Sequence, residues 1–148
     1  MKNNIKKRLS YIIIAFLIIG ISVISFLFYN ISSKYTFVQD NVDRIFGGNF
    51  SALCNNLNIS EDAQKDEYYF KENIKHSNIC ASLFTSTSFC ENNIPLNDIV
   101  IKLSELCENN ILYNFTDNEL REKLNYLSAH ITDKTAAKEV WEKMKTLE

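Results

Sequence analysis

Glycine, proline and histidine are nearly missing from this 148-residue chain, which contains three, one and two of them respectively. So few glycines cannot build the Gly-rich loops that bring backbone N–H groups against phosphates, and they exclude collagen-like and Gly/Ser-linker compositions. The two histidines, His76 and His130, form no HExxH pair. The four cysteines show no CxxC or CxxH spacing, so neither a zinc centre nor a redox dithiol is expected. A formal charge of −2 with only three arginines excludes a basic nucleic-acid-binding tail. No acid–base or nucleophile constellation is legible. The chain therefore reads as a non-enzyme, with no catalytic residues, no metal and no cofactor.

What the chain has in excess is one uncharged run. No Asp, Glu, Lys or Arg occurs in the 25 residues between Arg8 and Lys34, and Tyr11 to Tyr29 is almost entirely Ile, Leu, Phe and Val. Nineteen helical residues rise roughly 28 Å, close to the hydrocarbon thickness of a bilayer. A helix also pairs its own backbone groups, as lipid requires. Residues 1–10, with Lys2, Lys6, Lys7 and Arg8, read as a cytoplasmic basic tail, and residues 11–29 as a transmembrane signal anchor. The positive-inside bias then places everything beyond the anchor outside the cytoplasm, in a periplasmic or extracellular space. A cleaved signal peptide has an apolar region of about 7–15 residues and a small-x-small site. Here the run is longer, and Ile31-Ser32-Ser33 offers Ile where a small residue is needed, so an uncleaved anchor is expected.

Residues 34–148 carry 12 basic and 18 acidic side chains, a net charge of −6. Such a domain repels nucleic acid and steers a basic protein partner toward itself. Its apolar spacing is helical almost throughout. Val38, Val42, Ile45 and Phe46 fall on one side of a helix that Gly47-Gly48 should break or kink,. Leu53 and Cys54 point inward from a second short piece. A third helix is expected from Ser60 to about Phe84, followed by a polar loop from Thr85 to Asn93.

Pro95 suits the first turn of the next helix, where Leu96, Ile99, Val100, Leu103, Leu106, Cys107 and Ile111 form an apolar stripe. Thr116 and Glu119 read as a capping box, and Thr132 as the cap of a last helix bearing Ala137, Val140, Trp141, Met144 and Leu147. Glu119–Lys123 and Glu139–Lys143 are spaced as i,i+4 ion pairs. The fold class expected is all-α: a transmembrane helix followed by a small antiparallel bundle of four or five helices.

Cys54, Cys80, Cys90 and Cys107 all lie beyond the anchor. An even count in a small exported domain suggests two disulfides. In an up-down bundle, proximity favours Cys80–Cys90 and Cys54–Cys107, with bridging between two chains as the alternative. Of the histidines, His130 sits at a helix end, where it complements the helix dipole.

The candidate partner-binding patch is acidic and aromatic. Glu61, Asp62, Asp66 and Glu67 precede Tyr68, Tyr69 and Phe70. They lack the spaced oxygens and central Gly of an EF-hand. Three consecutive aromatics cannot all point inward on one helix, and exposed Tyr favours protein interfaces. Four Asn-x-Ser/Thr sites, at Asn30, Asn49, Asn58 and Asn114, are expected by chance among 18 Asn. The functional expectation is a membrane-anchored, extracytoplasmic protein that binds a protein partner, such as an immunity or inhibitor protein against an envelope-acting toxin. The alternatives are a structural or assembly subunit of an envelope machine (secretion, conjugation or lysis apparatus) and a sensory ectodomain.

Overall fold

The computed structural model describes residues 2–57, 67–109 and 117–146, with side chains from Tyr11 onward. Among the described residues the chain is helix and turn, without strands. It divides into two compact units, Met1–Val38 and Gln39–Glu148.

The first helix, α1, covers Lys2–Asn56. It is long and apolar enough to cross a membrane, and none of its apolar window is buried by the rest of the chain. Gly47-Gly48 neither breaks nor kinks it, contrary to the sequence expectation. Glycine costs a helix only about 1 kcal/mol relative to Ala, and packing on either side outweighs that. Phe46, Phe50, Leu53 and Leu57, at i, i+4, i+7 and i+11, are all buried. A Cβ at position 47 would stand 3.3 Å from the Cδ1 of Ile131, so Gly47 serves close packing against the chain beyond the fourth helix.

The expected inward face Val38–Val42–Ile45–Phe46 is split. Phe46 is 0% exposed, whereas Val38 and Ile45 are 59% and 47% exposed. Leu53 and Cys54 point inward as expected.

Among the described residues the second unit completes its core with four more helices: α2 (Glu67–Leu83), α3 (Ile94–Glu108), α4 (Asn118–Ala129) and α5 (Lys134–Met144). Helix α2 packs on α3, α3 on α5, and α4 on α5. The expected start of the α2 helix at Ser60 lies outside the described residues. A 3-10 turn, Phe84–Ser86, joins the end of the expected helix to the segment expected as a polar loop from Thr85, and that segment reaches into the core. Phe84 is buried, and Phe84 and Phe89 both pack on Phe46.

This turn is held by α1. The Gln39 amide donates to the Ser86 carbonyl at 2.9 Å, and Asp43 accepts from the backbone N–H (2.9 Å) and hydroxyl (2.5 Å) of Ser88. Asn93, buried just before α3, donates to the carbonyl of Ile131 at 3.0 Å. The predicted α3 stripe from Leu96 to Cys107 is buried at all six positions, while Ile111 lies outside the described residues.

The helix caps differ from the sequence reading by one residue each. Asp117, not Thr116, caps α4, its Oδ1 accepting from Glu119 (2.9 Å) and Leu120 (3.2 Å). Asp133, not Thr132, caps α5 in the same way, toward Thr135 (2.9 Å) and Ala136 (3.0 Å). A carboxylate satisfies two backbone donors at once and complements the positive end of the helix, which a hydroxyl does less well. Asp117→Ala should therefore cost about 1 kcal/mol in urea unfolding, and Asp117→Asn less. An unchanged midpoint for the Ala variant would contradict the cap.

The two expected disulfides are not present. No cysteine pair lies at disulfide distance. Each thiol has other neighbours instead. Cys80 turns into the core, its sulfur 3.9 Å from the carbonyl of Phe46. Cys90 stays half-buried in the turn before α3, its sulfur 3.4 Å from the Thr85 carbonyl. Cys54 and Cys107 are buried in the same core cluster, where Ser77 hydrogen-bonds the Cys107 thiol. Burial pushes the Cys54 thiol up, with Cys80 nearby adding to the effect. Burial likewise pushes Cys80 and Cys107 up to about 12. These three cysteines behave as small core hydrophobes.

Candidate functional site

A concave surface with convergent polar groups lies between α4 and α5. Only His130 to Asp133 connects these helices, and so short a connection makes antiparallel neighbours. The ion pairs confirm the register: Lys123 meets Glu139 and Lys143 meets Glu119, each at 2.5 Å. The position numbers in each pair have the same sum, as antiparallel helices in fixed register require. Buried Leu120, Leu124 and Leu127 on α4 and Ala137, Val140 and Met144 on α5 hold the pair to the core.

The sequence expectation placed Glu139–Lys143 along one helix. Instead Lys143 crosses to α4, reaching Glu119 and, at 3.9 Å, Asp117. Glu119–Lys123 is present within α4, at 4.0 Å.

On the outer side of this helix pair is a groove of about 480 Å³. Glu119, Glu122, Lys123 and Tyr126 line it from α4. Asp133, Thr135, Ala136 and Glu139 line it from the connection and α5. Four carboxylates and one ammonium thus line it, and Lys143, outside the lining, also holds Glu119. The lining ammonium is already engaged: its hydrogen bond to Glu139 holds Lys123 above the ordinary lysine range. Glu122 is exposed and makes no ion pair among the described residues.

The Tyr126 ring, 51% exposed, adds an aromatic surface. Its orientation is fixed by His130, which stacks on it with ring centroids 4.3 Å apart and donates from Nδ1 to the Tyr126 carbonyl at 2.9 Å. Carboxylates beside an oriented aromatic face are suited to a lysine or arginine head group, through charge and cation–π attraction. Sequence reasoning missed this groove. Its signal was the polar face of α4, where Glu119, Glu122, Lys123 and Tyr126 recur at i, i+3, i+4 and i+7.

The patch singled out from the sequence lies elsewhere, at the start of α2. Glu67 pairs with Lys71 at 2.6 Å, and both side chains are well exposed. Tyr68 is 63% exposed, and its ring meets that of half-buried Tyr69 edge-on at 5.4 Å. Glu61, Asp62 and Asp66 lie outside the described residues, so the acidic half of that patch has no geometry here.

His76 is not part of either surface. Its Nδ1 lies 2.7 Å from Asn49 Oδ1, which ties α2 to α1, and its Nε2 is 3.4 Å from Glu72 Oε2 within α2. A second polar contact between these helices, Asn56 to buried Asn73, spans 2.8 Å. No group of three or more metal-ligating side chains is assembled among the described residues.

No protein-family model, no curated protein and no solved structure matches the chain.

Proposed function

We propose that this chain is a membrane-anchored protein whose helical domain, outside the cytoplasm, captures a cationic segment of a protein partner in the groove between α4 and α5. The observation that carries this reading is the groove itself: four carboxylates, an oriented tyrosine and a single, already paired lysine. The exposed apolar stretch of α1 supports the anchor. The basic residues Lys2, Lys6, Lys7 and Arg8 ahead of it support an inward N-terminus. The net charge of −6 beyond residue 33 favours encounter with a basic partner. An immunity or inhibitor protein against an envelope-acting toxin is the form of this activity that best fits a small, acidic, tethered domain.

The test uses the full chain reconstituted in lipid nanodiscs, titrated with a fluorescent octalysine peptide. Binding should weaken as salt rises, since exposed charges are screened beyond a Debye length of about 10 Å at 0.1 M. Glu122→Lys combined with Tyr126→Ala should weaken it by about tenfold, the sum of one lost ion pair and one cation–π contact at roughly 0.5–1 kcal/mol each. Tyr68→Ala should leave it unchanged. Loss of binding with Tyr68→Ala alone would move the site to the start of α2, and no binding at low salt would end the reading.

A further inference from the structure

Helix α1 carries an apolar stripe that the domain core does not use. While Phe46, Phe50 and Leu53 turn inward, Ile31, Tyr35, Val38 and Ile45 stay exposed, with half-buried Val42 between the last two. These five positions are spaced 4, 3, 4 and 3 residues apart. The chain around them is polar: Ser32, Ser33, Lys34, Thr36 and then Gln39 to Asn41, with Phe37 the exception. Alternating 4 and 3 gives a period of 3.5, the seam of a left-handed coiled coil. The same register runs back through Phe28 and Ile24 into the uncharged run. There, Ile24, Ser25, Phe28, Tyr29 and Ser32 line a groove of about 450 Å³. Ile24 and Phe28 are seam positions, and small Ser25 and Ser32 beside them leave the kind of hole that a knob from a facing helix fills.

We propose that this stripe is the seam of a parallel coiled coil between copies of this chain in one membrane. Copies that share one insertion orientation present the seam in parallel. The flanking positions Ser32, Lys34, Gln39 and Asn41 contain a single charge, and in a parallel pair Lys34 faces Gln39, so no like charges oppose one another. Five apolar side chains at roughly 60–120 Å² each bury about 300–600 Å² per chain, below the ~800 Å² per partner of a standard interface. That area is too small to hold freely diffusing copies together. It suffices for copies confined to one bilayer, where the effective concentration is high. The inference rests on α1 crossing the membrane and does not involve the α4–α5 groove.

The full chain, carrying a benzophenone amino acid at single positions, is reconstituted into phosphatidylcholine vesicles, floated and irradiated. A chain that fails to float refutes the anchor and the seam with it. In floated vesicles, positions 31, 35 and 38 should give crosslinked multimers at least about fivefold more efficiently than positions 33, 36 and 40. Equal yields, or higher yields off the seam, would overturn the proposal. From position 31, Tyr35→Glu combined with Val38→Glu should abolish crosslinking, whereas Phe37→Glu should preserve it. These positions are exposed, so the helical signal and melting of the domain should stay constant. Persistence in the double variant, or equal loss with Phe37→Glu, would also overturn it.

Discussion

Replacing Phe46 by alanine should cost the C-terminal domain about 3–5 kcal/mol, a large share of the 5–15 kcal/mol that keeps a typical domain folded. Phe46 is 0% exposed and joins α1 to the turn segment that follows α2. Its ring stacks on Phe50 of α1, centroids 5.9 Å apart and planes within 10°. It also meets Phe84 at 5.8 Å and Phe89 at 5.7 Å, on either side of the turn clasped by Asp43. Truncation leaves a cavity bounded by three rings from two segments, and backbone relaxation cannot close it from one side. The melting temperature should fall by more than about 10 °C. Ile45→Ala, one residue earlier and facing away from this core, should change stability by no more than about 0.5 kcal/mol. Thermal and urea melts of the two variants decide the matter. Equal losses would mean that Ile45 and Phe46 share a buried face, contrary to the fold described above.

The second large effect concerns the thiols. In the folded chain at pH 8, Cys90 should react with a maleimide first, and Cys54, Cys80 and Cys107 should react slower by at least about 100-fold, since they become reachable only through opening of the domain. Unfolding without reductant should bring the total of reactive thiols to four per chain. Two would show a disulfide. The same burial makes stability depend on alkaline pH. Cys80 and Cys107 are held neutral up to about 12, against an ordinary value of 9.0, and Cys54 is raised for the same reason. The unfolded chain releases these protons first, so the stabilisation is whole below pH 9 and is lost as pH rises toward 12. Lysine–carboxylate pairs weaken over the upper part of that range too. The comparison that isolates the thiols is Cys80→Ala, whose stability should decline less steeply with pH than that of the parent. An equal slope would contradict a neutral, buried Cys80.

Much of the core was legible because single helices encode it. The α3 stripe from Leu96 to Cys107 keeps one apolar face through most of a fifteen-residue helix, and α4 and α5 repeat the pattern with Leu120, Leu124, Leu127 and Ala137, Val140, Met144. What escaped the sequence reading depends on a second segment. Gly47 reads as a helix breaker until Ile131 is seen packed against it. Val38, Ile45 and Phe46 look like one face because a helix with a wide apolar arc has no internal sign of where the core lies.

Lys143 has an equally good i−4 partner in Glu139, yet pairs with Glu119 across the helix junction. The cysteine pairing inferred from an up-down path failed because sharing one end of a bundle does not bring two sulfurs to bonding distance, and a disulfide requires specific α- and β-carbon geometry. The groove between α4 and α5 is likewise a property of two helices. Its α4 half was visible as a polar face, but nothing in the spacing shows that Asp133 and Glu139 stand opposite.

The most direct test of the proposed capture site is a chemical-shift map of the isotopically labelled full chain in lipid nanodiscs during octalysine titration. The largest shifts should fall on Glu122, Tyr126, Asp133 and Thr135, should saturate together, and should vanish in the Glu122→Lys, Tyr126→Ala variant. Shifts spread evenly over the acidic surface, or centred on Glu67 to Tyr69, would contradict a capture site between α4 and α5.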